Sequence, residues 1–253
     1  MEIVDFSLII EEVEKLDSQA LVVFDVDETL IIPKDRILRP CGEQYLHTLA
    51  ARFGKDLSEE QHKELRSITL LQREIAYTDS SVPLLFQKMK EKNIPSIALT
   101  AMPPGKYGVI PSLEEWREEE LKRSGIDFTL HSPYKNNLNF TEFGEKTPLI
   151  FHRGILCSAD YPKGPALKAF LEKTNIRPSR VIFVEDKKSN LVSVENELKN
   201  MGVSYLGFHY VGAMKFNEEV SEELAQCQLK HLVMNKKWLS DREAKEVLNN
   251  HPL

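Results

Sequence analysis

Apolar positions recur with two different periods along this chain, and the changes between them mark out its elements. From Ile3 to Leu16 they fall at helical spacing (Ile3, Phe6, Ile10, Val13), which predicts an amphipathic helix. LVVF, at Leu21–Phe24, is then a continuous apolar run that ends in acids. Such a run suits a strand buried on both faces of a parallel sheet. Runs of the same kind follow at Ile97–Thr100, Val181–Val184 and Val203–Phe208. Between the last two, Asn190–Met201 has a helical pattern closed by Gly202, a residue suited to the left-handed position beyond a helix end. Strands alternating with helices predict an open, doubly wound, mostly parallel α/β sheet of Rossmann-like type.

Two segments interrupt the alternation. Residues 33–80 hold two helical stretches, Gly42–Phe53 and Glu59–Tyr77, and no convincing strand. They read as a small helical insertion able to cover one end of the sheet, with residues 1–32 and 81–253 forming the α/β core domain. Residues 101–162 begin with a Pro/Gly-rich loop, MPPGKYG, and continue into a charged helix around Leu113–Ser124. A polar stretch, Tyr134–Pro148, then separates Asp127–Leu130 from Leu149–Ser158 as a long hairpin or loop. Glu218–Val233 is helical by pattern, and Ser240 with Glu243 has the spacing of a capping box that starts a last short helix. No internal repeat or low-complexity tract is present.

Composition narrows the classes. The 253 residues suffice for one large α/β domain or a core carrying a modest insertion. A net charge of −6 offers no basic footprint and argues against duplex nucleic acid as a main partner. An anionic substrate would need a local cation, which a bound metal could supply. The cysteines, Cys41, Cys157 and Cys227, are odd in number and outside any CxxC pattern, as expected of reduced thiols. No apolar run approaches the ~20 residues that span a bilayer. The opening MEIVDFSLIIEEVEKL is acidic and lacks the basic start of a Sec-type signal. The expected location is the cytoplasm, or outside the cell by a specialised route that needs no such signal. The histidines show no HxxxH or HExxH spacing, so zinc is not expected.

The candidate chemistry starts at Asp25-Val26-Asp27-Glu28-Thr29, directly after LVVF. Alternation along an extended chain places Asp25 and Asp27 on one side, at the strand end where open α/β sheets bind ligands. Two carboxylates that close repel unless a cation or a shared proton relieves them.

FDVDET resembles the first motif, DxDxT, of haloacid dehalogenase (HAD) superfamily phosphatases, and the other motifs follow in the expected order. IALT supplies Thr100 at a strand end, Tyr-Pro-Lys163-Gly supplies a lysine at a predicted helix start, and VIFVEDKKSN supplies Glu185 and Asp186. Together they cover residues 21–190, about two-thirds of the chain. Finer features, GILCS before PKGPAL, ELKNMGVSYLGFHY and WLSDREA, resemble a bacterial HAD-like family of largely uncharacterised function.

The resemblance implies a HAD-like fold with a small cap, and a role for each matching residue. Asp25 would attack phosphorus and form an aspartyl-phosphate. Asp27 would protonate the leaving oxygen and then deprotonate water. Thr100 would bond a phosphoryl oxygen, and Lys163 would neutralise charge there and on Asp25. Mg²⁺ would be held by Asp25, the backbone carbonyl of Asp27, and Asp186, with Thr29, Glu185 and Asn190 in support. Dehalogenases need no second acid and the P-type ATPase branch has Thr at that place, so Asp27 favours phosphoester hydrolysis or phosphoryl transfer. Lys168 competes with Lys163, whereas Lys187, Lys188, His152 and Arg153 read as solvated and Lys106 as a weaker anion-binding candidate.

The leading expectation is therefore a Mg²⁺-dependent phosphomonoester hydrolase. A phosphotransferase and a non-catalytic HAD-like partner-binding protein are the alternatives. A signalling receiver domain is disfavoured, because receivers place the acidic pair before the phosphorylated Asp. The modest insertion implies an open site, admitting a phosphorylated protein side chain as well as a small phosphoester. No oligomeric state follows from the sequence.

Overall fold

The N-terminus is where the fold first departs from the periodicity. In the structure, a computed structural model that describes residues 1–143 and 148–250, Glu2–Ile3 is an edge strand (β1) and the helix α1 runs only from Ser7 to Lys15. The Asp5 carboxylate accepts the Ser7 N–H at 2.9 Å and starts the helix there. β2 is Leu21–Phe24 and β3 is Ile31–Pro33. Then come α2 (Glu43–Phe53), α3 (Glu59–Gln72), β4 (Ile75–Tyr77), α4 (Val82–Glu91) and β5 (Ser96–Thr100). α5 is Leu113–Arg123, α6 Phe128–His131, β6 Leu138–Phe140, β7 Leu149–His152 and β8 Ile155–Cys157. α7 is Lys163–Thr174, β9 Arg180–Glu185, α8 Lys188–Asn200 and β10 Ser204–Tyr210. α9 (Glu222–Asn235) and α10 (Asp241–Asn250) close the chain. None of these helices is long and apolar enough to cross a membrane.

The chain divides into two compact units. The first, Met1–Ile31, Tyr77–Gly105 and Ser112–Ala213, holds an eight-stranded sheet in the order β1-β10-β9-β2-β5-β8-β7-β6. From β1 to β8 the pairings are parallel, and β7 and β6 add an antiparallel edge. This is the mostly parallel α/β sheet that the alternating pattern predicts. LVVF and Val181–Val184 are fully buried because helices cover both faces of a central parallel strand. The polar stretch contributes β6, which pairs with β7, while its residues 144–147 lie outside the described residues. Gly202 has φ +71° and sits one residue beyond the C-cap of α8, as its position predicts.

The second unit, Ile32–Ala76, Lys106–Pro111 and Met214–Leu253, has its own core of Leu49, Leu65, Ile68, Leu229, Leu232 and Trp238. Here residues 214–250, read from the pattern as part of the sheet domain, pack with the 33–80 segment, α9 lying on α2 and α3. The periodicity of α9 shows an apolar face but cannot show which surface buries it. Asp35 ties the unit together, accepting Trp238 Nε1 at 2.8 Å and the Asp241 N–H at 2.9 Å. The expected capping box forms, Ser240 Oγ accepting the Glu243 N–H at 3.3 Å and Glu243 the Ser240 N–H at 2.9 Å. The 33–80 segment also has strand at its ends, since β3 and β4 form a two-stranded sheet. Three-residue strands are too short to register as a period, and α3 stops at Gln72, short of the predicted Tyr77.

The sheet rests on α7 and α8. Gly164, the second residue of α7, packs so closely on α8 that a Cβ would lie 2.1 Å from the Ser193 carbonyl oxygen. Its N–H donates to Ser193 Oγ at 3.1 Å. Deeper in, Phe170 of α7 stacks on Phe151 of β7, with ring centroids 4.5 Å apart and both side chains fully buried. Phe170→Ala should cost about 3–5 kcal/mol in urea unfolding with an unchanged m-value, because the cavity cannot collapse between helix and sheet.

Candidate functional site

Three neighbouring strands deliver their C-terminal ends to one place. Phe24 of β2 pairs with Ala98 of β5 on one side and Val184 of β9 on the other. Asp25 is therefore level with Glu185, and its N–H continues the ladder to the Val184 carbonyl at 2.9 Å. Thr100 ends β5 at the same edge of the sheet, and Lys163 opens α7, which connects β8 to β9. β2 is the point where successive strands pass to opposite sides, which is where open α/β sheets form a crevice.

The centre of the cluster is a buried lysine between two buried acids. Lys163 Nζ donates to Asp25 Oδ1 and, at 2.6 Å, to Glu185 Oε2. Thr29 Oγ1 donates to Asp25 Oδ2 at 3.2 Å, so both oxygens of Asp25 are held. Glu185 Oε1 accepts the Lys187 N–H at 3.1 Å, so both of its oxygens are held as well. Asp186 lies alongside, and Asp25, Glu185 and Asp186 offer carboxylate oxygens within 4.8 Å of one another. The Asp186 carbonyl accepts from His209 Nε2 at 2.9 Å.

Two of the three acids share Lys163, and burial dominates the protonation of all three. Burial pushes the Asp25 carboxyl up to about 6; Lys163 opposes the rise and the charge on Glu185 adds to it. Burial also raises Glu185 and Asp186. Burial works against the charge on Lys163, but Asp25 and Glu185 outweigh it and raise its pKa. Hard carboxylate oxygens at this spacing, short of positive charge, fit a divalent cation such as Mg²⁺. Asp25, Glu185 and Asp186 together are the residues that could hold such an ion.

The remaining expected residues divide. Thr100 is buried, its Oγ1 accepting the Met102 N–H at 3.3 Å and its carbonyl the Ser158 N–H at 2.8 Å. Asp27 stands just beyond Asp25, and Glu28 after it takes φ +64°. Asn190 lies in the first turn of α8, and among the described residues no hydrogen bond joins its side chain to the acids. Lys168 pairs with Glu197 at 3.1 Å instead of reaching the cluster. His152 is not solvated: it is buried, with Nε2 2.9 Å from Glu118 Oε2. The Cys157 thiol, pushed up to about 12 by burial, is no nucleophile.

Two residues at the site carried no signal in the sequence. Arg117 of α5 binds both oxygens of Asp27, from Nη2 at 2.8 and 3.1 Å, and donates from Nη1 to Glu120 Oε2 at 2.7 Å. It sits in WREEEL, where an arginine among acids reads as an exposed helix face. His209, which fixes the Asp186 backbone, stands in a strand with no neighbouring ligand-type residue to mark it.

The Asp25 pKa sets a pH dependence of folding. A folded-state value of about 6 exceeds that of an unfolded aspartate, so the ion-free folded chain binds more protons than the unfolded one between the two. That stabilisation is complete below about pH 4 and is lost as pH rises through 6, a change of roughly 3 kcal/mol. Urea unfolding of Asp25→Asn across pH 4–7 in a chelating buffer should lack this loss, whereas parallel curves for variant and wild type contradict it.

Two rickettsial proteins are similar over much of their length. An uncharacterized protein of Rickettsia prowazekii (strain Madrid E) is 23% identical over 234 residues, covering 92% of this chain and 85% of its own. An uncharacterized protein of Rickettsia bellii (strain RML369-C) is 28% identical over 207 residues, covering 77% and 69%. Among solved structures, a hydrolase of the haloacid dehalogenase-like family from Streptococcus pneumoniae aligns over 78% of this chain and 90% of its own, with a TM-score of 0.40 and 12% identity. The family model described as "Protein of unknown function (DUF2608)" matches residues 2–245, and the chain belongs to that family.

Proposed function

We propose that this protein is a Mg²⁺-dependent phosphomonoester hydrolase that works through an aspartyl-phosphate on Asp25. The observation that carries the reading is Lys163, buried and bonded at once to Asp25 and Glu185, with Asp186 beside them. A lysine held between acids at a sheet edge has no ligand of its own to bind, but it is well placed to offset charge on an incoming phosphoryl group.

In this reading an Asp25 oxygen attacks phosphorus, the bond to the ester oxygen breaks, and Asp27 gives that oxygen its proton. Water then attacks the aspartyl-phosphate, Asp27 takes a proton from it, and inorganic phosphate leaves with Asp25 restored. Lys163 and Thr29 hold the two oxygens of Asp25 in fixed directions, so the nucleophile needs little reorganisation. Thr100 would bond a phosphoryl oxygen. Asp25, Asp186 and the Asp27 carbonyl would hold the cation, with Glu185 in support. When bound, the cation supplies the positive charge that the acids and a phosphoryl group together require. The substrate class we favour is a phosphorylated side chain on a protein, ahead of a small phosphoester.

A panel of phosphopeptides and sugar phosphates tests the proposal. Hydrolysis should require Mg²⁺ and stop with EDTA. Asp25→Asn should lower kcat by at least ~10³-fold, and Thr100→Ala by about 10²-fold. Asp25→Asn turning over as fast as wild type would rule out the covalent route. Preference for sugar phosphates over phosphopeptides would move the substrate to small metabolites.

A further inference from the structure

Arg117 is the most heavily invested side chain that the mechanism above leaves without a task. Its side chain is 4% exposed, and a guanidinium taken that far from water costs several kcal/mol before its partners repay any of it. An apolar residue of similar length would hold α5 against the sheet as well, since buried ion pairs are often no more stabilising than well-packed apolar groups. The guanidinium joins two acids: Nη1 reaches Glu120 at 2.7 Å, and Nη2 reaches both oxygens of Asp27, at 2.8 and 3.1 Å.

The Asp27 side chain remains 43% exposed although the buried Arg117 holds both of its oxygens. Arg117 is itself fixed. Nη1 donates to the buried Glu120, one turn further along α5, and the guanidinium lies 5.0 Å from the centre of the Trp116 ring. α5 is anchored in turn by Ser112, whose Oγ accepts the Glu115 N–H at 3.2 Å. A chain of contacts therefore runs from a capped helix through Glu120 and Arg117 to Asp27, a residue that otherwise sits in a short loop with Glu28 in a left-handed conformation. Preorganised geometry of this kind is what proton transfer between fixed groups requires.

We infer that Arg117 is the positioning residue of the proton-transfer steps, holding Asp27 where it can exchange a proton with the oxygen on phosphorus. The inference rests on the phosphatase reading. In the first step the Asp25 O–P bond forms, the ester P–O bond breaks, and the proton on Asp27 passes to the leaving oxygen. In the second, water oxygen bonds phosphorus, the Asp25 O–P bond breaks, and a water proton passes to Asp27. Arg117 serves both, because a carboxyl and a carboxylate alike keep an oxygen that accepts from Nη2.

The test uses leaving groups that differ in their need for a proton. A p-nitrophenolate departs without one, whereas the alkoxide of glycerol 3-phosphate does not. Arg117→Met should lose about 100-fold in kcat on glycerol 3-phosphate, within the usual contribution of a positioned general acid, and less than about 10-fold on p-nitrophenyl phosphate. The ratio of the two rates in one preparation is independent of the fraction folded, so partial misfolding cannot imitate it. Arg117→Lys should recover part of the loss on glycerol 3-phosphate. Adding Arg117→Met to Asp27→Asn should lower neither rate further, because the two side chains act as one unit. Equal losses on both substrates, losses that multiply in the double variant, or a rise in KM with kcat unchanged would each overturn the role of Arg117 alone. A wild-type protein inert toward both of these phosphoesters and toward the phosphopeptides and sugar phosphates as well would overturn the phosphatase reading and this inference with it.

Discussion

Lys163 lies where three acids converge, and the arrangement of the site follows from that single ammonium group. Without it, Asp25 and Glu185 would be buried side by side with no counter-charge, and the C-terminal ends of β2 and β9 would repel. Burying a charge is costly unless it is paired and bonded, so the lysine must arrive from a fixed direction. α7 provides it. Lys163 is the first residue of that helix, and the close approach of Gly164 to α8 leaves the helix little freedom to shift. The register of β9 against β2 brings Glu185 level with Asp25, so one lysine can serve both. Burial raises the pKa values of Asp25, Glu185 and Asp186, and repulsion among the neighbouring acids adds to the rise.

The same electrostatic economy recurs at Asp27. Its charge is met by Arg117 of α5, a helix that has no part in the Lys163 cluster, and Glu120 of the same helix holds the other arm of that guanidinium. The site thus has two acids held in different ways. Asp25 is nearly enclosed and tied through both oxygens to Lys163 and Thr29, as its proposed role of nucleophile requires. Asp27 is held through both oxygens by Arg117 yet stays 43% exposed, as its proposed role of proton donor and acceptor requires.

Membership of the DUF2608 family is what sequence similarity establishes for this chain, and it names no reaction. The functional proposal therefore stands on chemistry: a buried carboxylate with both oxygens bonded, a lysine shared between acids, and an oxygen-rich cluster short of positive charge.

Much of this was legible in the residues. LVVF, SIALT and RVIFVE are buried strands because continuous apolar runs have no stable place except between two covered faces, and the acids and hydroxyls at their ends mark the edge where ligands bind. Gly202 and the Ser240–Glu243 pair were readable because their effect is local, a single backbone angle or one turn of helix. What the sequence could not determine depends on partners distant along the chain. Glu2–Ile3 is a strand only because β10 lies beside it, and β3 and β4 are strands only because each pairs with the other. α9 gathers with α2 and α3 although its own periodicity only says that one face must be covered. Arg117 looks like an exposed charge until the fold places it against Asp27, 90 positions earlier. Periodicity reports which positions leave water; tertiary packing alone decides what each of them meets.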